Sequence, residues 1–183
     1  MYKFLVVAII SLCSTNVVWA NEAVKPVETH GRWAVNVDDS FCWISQTPIP
    51  AESKHQRSGK PVSDNAVKRG EVYETALSVV LIKGKKSPAY VYFVGGAYEF
   101  NTLEQEKFYL EVDGKRFDMK ASNLDGRGAS FSIEKDDPKI IELMIAGAEA
   151  TVSSMSKRNL LSLDKFTLKD FTVSFRNAQK LCN

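Results

Sequence analysis

The sequence predicts a mainly β protein, an antiparallel β-sandwich or barrel-like sheet with two short helices at about residues 138–147 and 169–181. Three observations carry that reading. Short runs of Val, Ile, Leu, Tyr and Phe recur between turn residues, several with the period of two that a half-buried strand requires. Asp113-Gly114, set between two such runs, is the residue pair that tolerates the positive φ angles of a tight hairpin. Helix punctuation is confined to Asp137-Pro138, with Gly147 closing the run behind it, and to the stretch after Leu168.

The first residues read as an address. Lys3 precedes an unbroken apolar run, Phe4 to Leu12, and Val18-Trp19-Ala20 offers small residues around a cut before Asn21. A run that short falls below the roughly 20 residues that span a bilayer, and no later segment is long and uncharged enough to do so. Lipid attachment at Cys13 would want a small residue before it, where Leu12 stands. The chain therefore divides into a signal peptide (1–20), a flexible leader (21–31) and a single domain (32–183), periplasmic or secreted, with no transmembrane segment in the mature chain. Export also decides the cysteines. Cys42 and Cys182 remain after cleavage, an even pair in an oxidising compartment without a Cys-x-x-Cys motif, so one structural disulfide is expected. The formal net charge of +2 over 183 residues leaves no electrostatic footprint for nucleic acid or an anionic membrane.

Along the domain, Trp33, Val35 and Val37 alternate with Ala34 and Asn36 as a first strand, and Phe41 to Thr47 follows Asp38-Asp39-Ser40 as a second. Pro48 to Gly70, with three prolines and Gly59, reads as a long surface loop. Val72 to Lys83 and Pro88 to Val94 form a hairpin around Gly84-Lys85-Lys86-Ser87, a tetrapeptide that lacks the upstream glycine of a phosphate-binding loop. Gly95 to Phe100 is a connector, Phe108 to Met119 the Asp-Gly hairpin, and Ala129 to Ile133 a further strand. Asp137 is expected to cap a helix with Pro138 at its first position. Ala150 to Met155 and Leu161 to Leu168 are strands, the latter with Leu161, Leu163, Phe166 and Leu168 as apolar points. In the last segment Phe171, Phe175, Ala178 and Cys182 are spaced four, three and four, one face of a helix that points Cys182 inward, although Phe171, Val173 and Phe175 also alternate like a strand.

The supply of catalytic groups is thin. Beyond the signal peptide there are two histidines, His30 and His55, in no metal-binding motif and read as surface residues, so no metal and no cofactor are expected. Ser153, Ser154 and Ser156 lie at a strand end without a Gly-x-Ser-x-Gly elbow, and Asp136-Asp137 suits a helix start. The candidate partner-binding residues are Lys54, Arg57, Lys60, Lys68 and Arg69, the basic excess of the long loop. Tyr90 and Tyr92 share one strand face, either as an exposed aromatic row or, the preferred reading, as a second layer of core.

This pattern resembles the invasion-associated locus B family of exported proteins of Gram-negative bacteria. The residues that carry the resemblance are the export signal, Trp33 followed by Cys42, Ala97-Tyr98-Glu99-Phe100 in place of a Gly-Tyr-Pro-Phe connector, and the hairpin Val112 to Phe117. Met144-Ile145-Ala146-Gly147, Ser156-Lys157-Arg158, Phe166 to Phe171 and the late cysteine complete it. Glu99 stands where the family often has proline, and Asn159 and Asp170 where it usually has glycine. The resemblance implies a periplasmic or secreted factor linked in some pathogens to host-cell colonisation, with no established catalytic residues. The expected function is thus non-enzymatic, through protein or envelope contacts. A hydrolase whose carboxylates are assembled by the fold, or a small-ligand carrier, is the alternative.

Overall fold

The computed structural model describes residues 26–62, 75–84, 89–95, 98–124 and 126–183. Its twelve strands are β1 (Glu28–His30), β2 (Trp33–Val37), β3 (Phe41–Gln46), β4 (Lys54–Arg57), β5 (Lys60–Pro61), β6 (Thr75–Ile82), β7 (Ala89–Gly95), β8 (Tyr109–Val112), β9 (Lys115–Leu124), β10 (Arg127–Ser132), β11 (Glu149–Met155) and β12 (Leu160–Thr167). They pair antiparallel throughout, in the order β1-β2-β3-β6-β7-β10-β9-β8-β11-β12-β4-β5. The ten-residue β9 is the fold line. Lys115–Asp118 pair with β8, while Met119–Leu124 pair with β10, so one strand belongs to two sheets and turns the order over into two layers.

Alternation supplies the core between the layers. Trp33, Val35, Ile44, Leu77, Val79, Val91 and Phe93 point inward from the first sheet, and Leu110, Val112, Val152 and Phe166 from the second. Phe93 of β7 meets Phe166 of β12 edge-on at 6.3 Å, which ties the two layers. Each such side chain fully removed from water contributes about 1.5–3 kcal/mol. Phe100, in the connector before β8, is wholly buried and packs on Phe93 and Phe108. Gly95 and Gly128 make room for its ring, since a Cβ at either would collide with it. The expected Asp-Gly hairpin is present, with φ of 44° at Asp113 and 80° at Gly114.

Three side-chain carboxamides act as short strands where no strand is available. Gln46 donates to Thr167 O (3.2 Å) and accepts from Thr167 N (3.1 Å), closing the end of β3 onto β12. Asn123 pairs in the same manner with Phe100, and Gln105 with Ala121. The amide group carries one donor and one acceptor at backbone spacing, so it completes a ladder that the chain leaves open. Gln46→Leu leaves Thr167 N–H without a partner, while its carbonyl keeps Trp33 Nε1 at 3.1 Å. Urea unfolding of that variant is expected to show a loss of about 1–3 kcal/mol; unchanged stability would mean that the pairing contributes nothing.

Two helices cover the part of the first sheet that the second leaves bare. The helix expected at 138–147 is α1 (Asp137–Ala146), and the one expected at 169–181 is α2 (Phe171–Cys182). Phe171, Phe175, Ala178 and Cys182 are all buried, Phe171 against Trp33 at 5.0 Å, so the helical spacing wins over the strand-like one. Cys182 is bridged to Cys42 with 5.7 Å between Cα atoms, closing a sequence separation of 140. Gly147 does end α1, but for a steric reason: a Cβ there would lie 2.7 Å from Asp113 Oδ2 and 2.8 Å from Leu143 O. Asn159 (φ 58°) and Asp170 (φ 65°) take the left-handed backbone that favours glycine.

Five expectations change. Structure starts before Arg32, because Glu28–His30 pairs with β2 as an edge strand. The loop expected over Pro48 to Gly70 contains the hairpin β4–β5, whose partner β12 supplies the order that its own composition lacks; its residues 63–70 fall outside the described ones. Asp137 does not cap α1. Its Oδ1 instead accepts from Val91 N (3.2 Å) and from the Ser132 hydroxyl, prolonging the β7–β10 ladder past the end of β10. His55 is 7% exposed, not a surface residue, because β4 faces it inward toward Ser162. Tyr90 and Tyr92 are half-buried on the outer side of the first sheet, Tyr92 stacked with Phe131 at 6.1 Å, rather than forming a second core layer.

Candidate functional site

Two places gather chemistry. The first is inside. β12 turns Leu160, Ser162, Asp164 and Phe166 inward, and the register sets Ser154 of β11 and His55 of β4 on either side of Ser162. His55 Nδ1 lies 3.0 Å from Ser162 Oγ. Asp164, 2% exposed and opposite Val152, has no partner for Oδ1, and Ser154 Oγ has none either. Burial pushes the Asp164 carboxyl up to about 7. Asp137 is raised as well, by burial first, against the hydrogen bonds from Ser132 and Val91 that favour its charge, with Glu134 and Asp136 adding to the rise. These two perturbed carboxyls sit on different elements, at the start of α1 and in β12, and neither lines a cavity described below. A serine–histidine contact of this kind has the geometry of a nucleophile and its base, but here both are in the packed interior. Among the described residues no three His, Cys, Asp or Glu side chains come together to hold a metal.

The second place is the outer face of the second sheet. There the register lines up Tyr109, Ser153, Leu163 and Lys54 across β8, β11, β12 and β4, with Met155, Leu161 and Gln56 in the next row. Two adjoining cavities of about 390 and 370 Å³ open on this face and share Lys107 and Leu161. The 3-10 turn Gln105–Lys107 overhangs them, held by the Gln105–Ala121 amide pair. Arg116 braces that turn: its Nη2 donates to Glu106 O at 2.9 Å while its guanidinium lies 3.9 Å from the Tyr109 ring centre. The far wall is the tip of the β4–β5 hairpin, Ser58-Gly59, with Asn159 beside it. Ser153 Oγ, in the floor, is buried and has no hydrogen-bond partner.

The basic residues singled out in the sequence are only partly brought together. Lys54, Arg57 and Lys60 are all exposed on the β4–β5 hairpin. Lys54 is on the groove face opposite Leu163, whereas Arg57 and Lys60 oppose each other on the other face. Lys68 and Arg69 lie outside the described residues. The groove itself, floored by Leu161, Met155 and Ser153, was missed. The signal was a change of parity in β12: Leu161 and Leu163 are odd, Phe166 is even, so the apolar points of one strand serve two faces.

Among the described residues no helix is long and apolar enough to cross a membrane. The fold is a mainly antiparallel β protein with two short helices, bridged between Cys42 and Cys182. No family model, no characterised protein and no solved structure matches the chain.

Proposed function

We propose that the protein is an exported, non-enzymatic module of invasion-associated locus B type, periplasmic or secreted, that acts by binding a protein or envelope partner and serves host-cell colonisation. The groove beside the β4–β5 hairpin is the observation that carries this reading, because it is an open, sheet-floored concavity of ligand-site size walled by the hairpin tip, with Lys54 on the same sheet face. The family resemblance finds support in two of its own departures. Asn159 and Asp170, standing where glycine is usual, both have positive φ, and asparagine and aspartate are the residues that replace glycine there at least cost. The Cys42–Cys182 bridge and the leader-like first residues support export.

The test is crosslinking in envelope and culture fractions, with wild type, Lys54→Glu, and Arg57→Glu/Lys60→Glu compared. Lys54→Glu is expected to weaken partner capture by about tenfold, and the double reversal on the opposite face by less. Equal capture by all three proteins would remove the hairpin and groove from the contact.

The hydrolase reading has one observation in its favour, the raised carboxyl of Asp164 near the His55–Ser162 contact. Hydrolysis of ester or glycoside probes that is lost in both Asp164→Asn and Ser162→Ala, with folding retained, would favour it over binding.

A further inference from the structure

We propose that the groove on the second sheet is a peptide site, which seats an aliphatic side chain on Leu161 and Met155 and pairs a neighbouring acidic side chain with Lys107. This rests on the binding reading above and names the ligand class. Three observations lead to it. The floor crosses β8, β11, β12 and β4, so at 4.7–4.9 Å per strand it is roughly 15 Å long, the reach of roughly four or five extended residues. Its length, openness and mixed walls suit a short chain segment better than a compact molecule.

The charges then select a sign. Among the described residues four charged side chains line the two cavities, and two of them are committed. Arg116 is spent on Glu106 O, Asp118 and the Tyr109 ring. Glu104 accepts from Asn101 Nδ2 at 2.7 Å. Glu106 lies 4.0 Å from Lys107, and both are well exposed, so their attraction is weak. Lys107 stands where the two cavities join and is the cation available to a ligand.

The third observation is Ser153. Its hydroxyl is buried in the floor without a partner, a cost that a polar ligand atom entering the groove would remove. Serine at this position also leaves the floor low between Tyr109 and Leu163, its neighbours in register.

The experiment measures fluorescence anisotropy of labelled, N-acetylated, C-amidated pentapeptides on the purified, oxidised protein. Ala-Leu-Ala-Glu-Ala is expected to bind about tenfold tighter than Ala-Leu-Ala-Lys-Ala. Lys107→Glu should invert that order, a charge swap that a folding defect cannot imitate. Ser153→Leu should abolish binding of both peptides. Because that variant can disturb the strand, Ser153→Ala is measured beside it and should weaken binding several-fold with a urea midpoint no lower than that of the wild type. Equal binding of the two peptides, or a preference that survives Lys107→Glu, overturns the proposal. Binding of octanoate at this site with neither peptide bound would make the groove a small-ligand carrier site and would also overturn it. If Lys54→Glu still weakens partner capture while no peptide binds, the ligand class is wrong and the contact surface stands; if capture is also unaffected, both fall.

Discussion

Replacing Cys42 and Cys182 together by alanine is expected to lower the unfolding free energy of the oxidised protein by about 3–5 kcal/mol. The bridge closes a sequence separation of 140, for which the chain-entropy model gives about 5 kcal/mol at 25 °C. For a domain of this size that corresponds to a fall of roughly 10 °C in Tm. The local consequence follows from where the bridge sits. Cys182 is in the last turn of α2, and α2 covers Trp33 and the inner side of β2 and β3. Without the bond, the helix is held by one buried face, Phe171, Phe175 and Ala178, and its end is expected to fray first. Hydrogen exchange should therefore rise most over residues 176–182, and proteolysis should begin there. Reductant ought to reproduce the effect in the wild type and do nothing further to the double variant. Two titratable thiols in the native oxidised protein, or an alanine pair as stable as the wild type, would sink this account of how the domain is closed.

That bridge was legible because it needs only leader-like first residues and the two cysteines that lie beyond them, Cys42 and Cys182. The same holds for features set by a few adjacent residues. Asp113-Gly114 turns where its φ preferences say it must, and the four-three-four spacing of Phe171 to Cys182 wins its helix. What stayed hidden depends on partners remote in the chain. The segment 54–61 has strand character only because β12 presents an open edge to it, and no local pattern announces that edge. β9 looks like half of a hairpin, yet its second half pairs with β10, and this single continuation decides that the sheet folds over. Asp137 fits a cap by every local rule, but the buried Val91 N–H, which the β7–β10 pairing leaves open, is a closer use for its carboxylate. The groove fell between the two cases. Its apolar floor was visible in Leu161 and Leu163, whose outward parity only the pairing with β11 establishes.

Between about pH 4 and 7 the wild-type protein is expected to lose stability as pH rises, and Asp164→Asn to lose much less. Asp164 lies on the inner side of β12 between Ser162 and Phe166, 2% exposed, with Oδ1 unpartnered. Burial lifts its carboxyl from the ordinary 3.8 to about 7. In this window the folded protein keeps a proton that the unfolded chain has released. Unfolding is then accompanied by proton loss, and higher pH drives it. At about 1.4 kcal/mol per pH unit the whole span amounts to about 4 kcal/mol, present below pH 4 and gone above pH 7. Asp137 is raised in the same direction and adds to the slope, so the comparison includes Asp137→Asn. Asparagine at 164 keeps the shape, never ionises and should make the protein more stable than wild type at pH 8 by about 2–4 kcal/mol. Should the amide find no partner, Asp164→Val, which matches Val152 across the strand pair, isolates the charge term. Urea unfolding from pH 4 to pH 8.5 reads all four proteins. Parallel slopes for wild type and both Asp164 variants would show that the carboxyl is hydrated or paired in solution, and the polar interior of β12 would then need a different explanation.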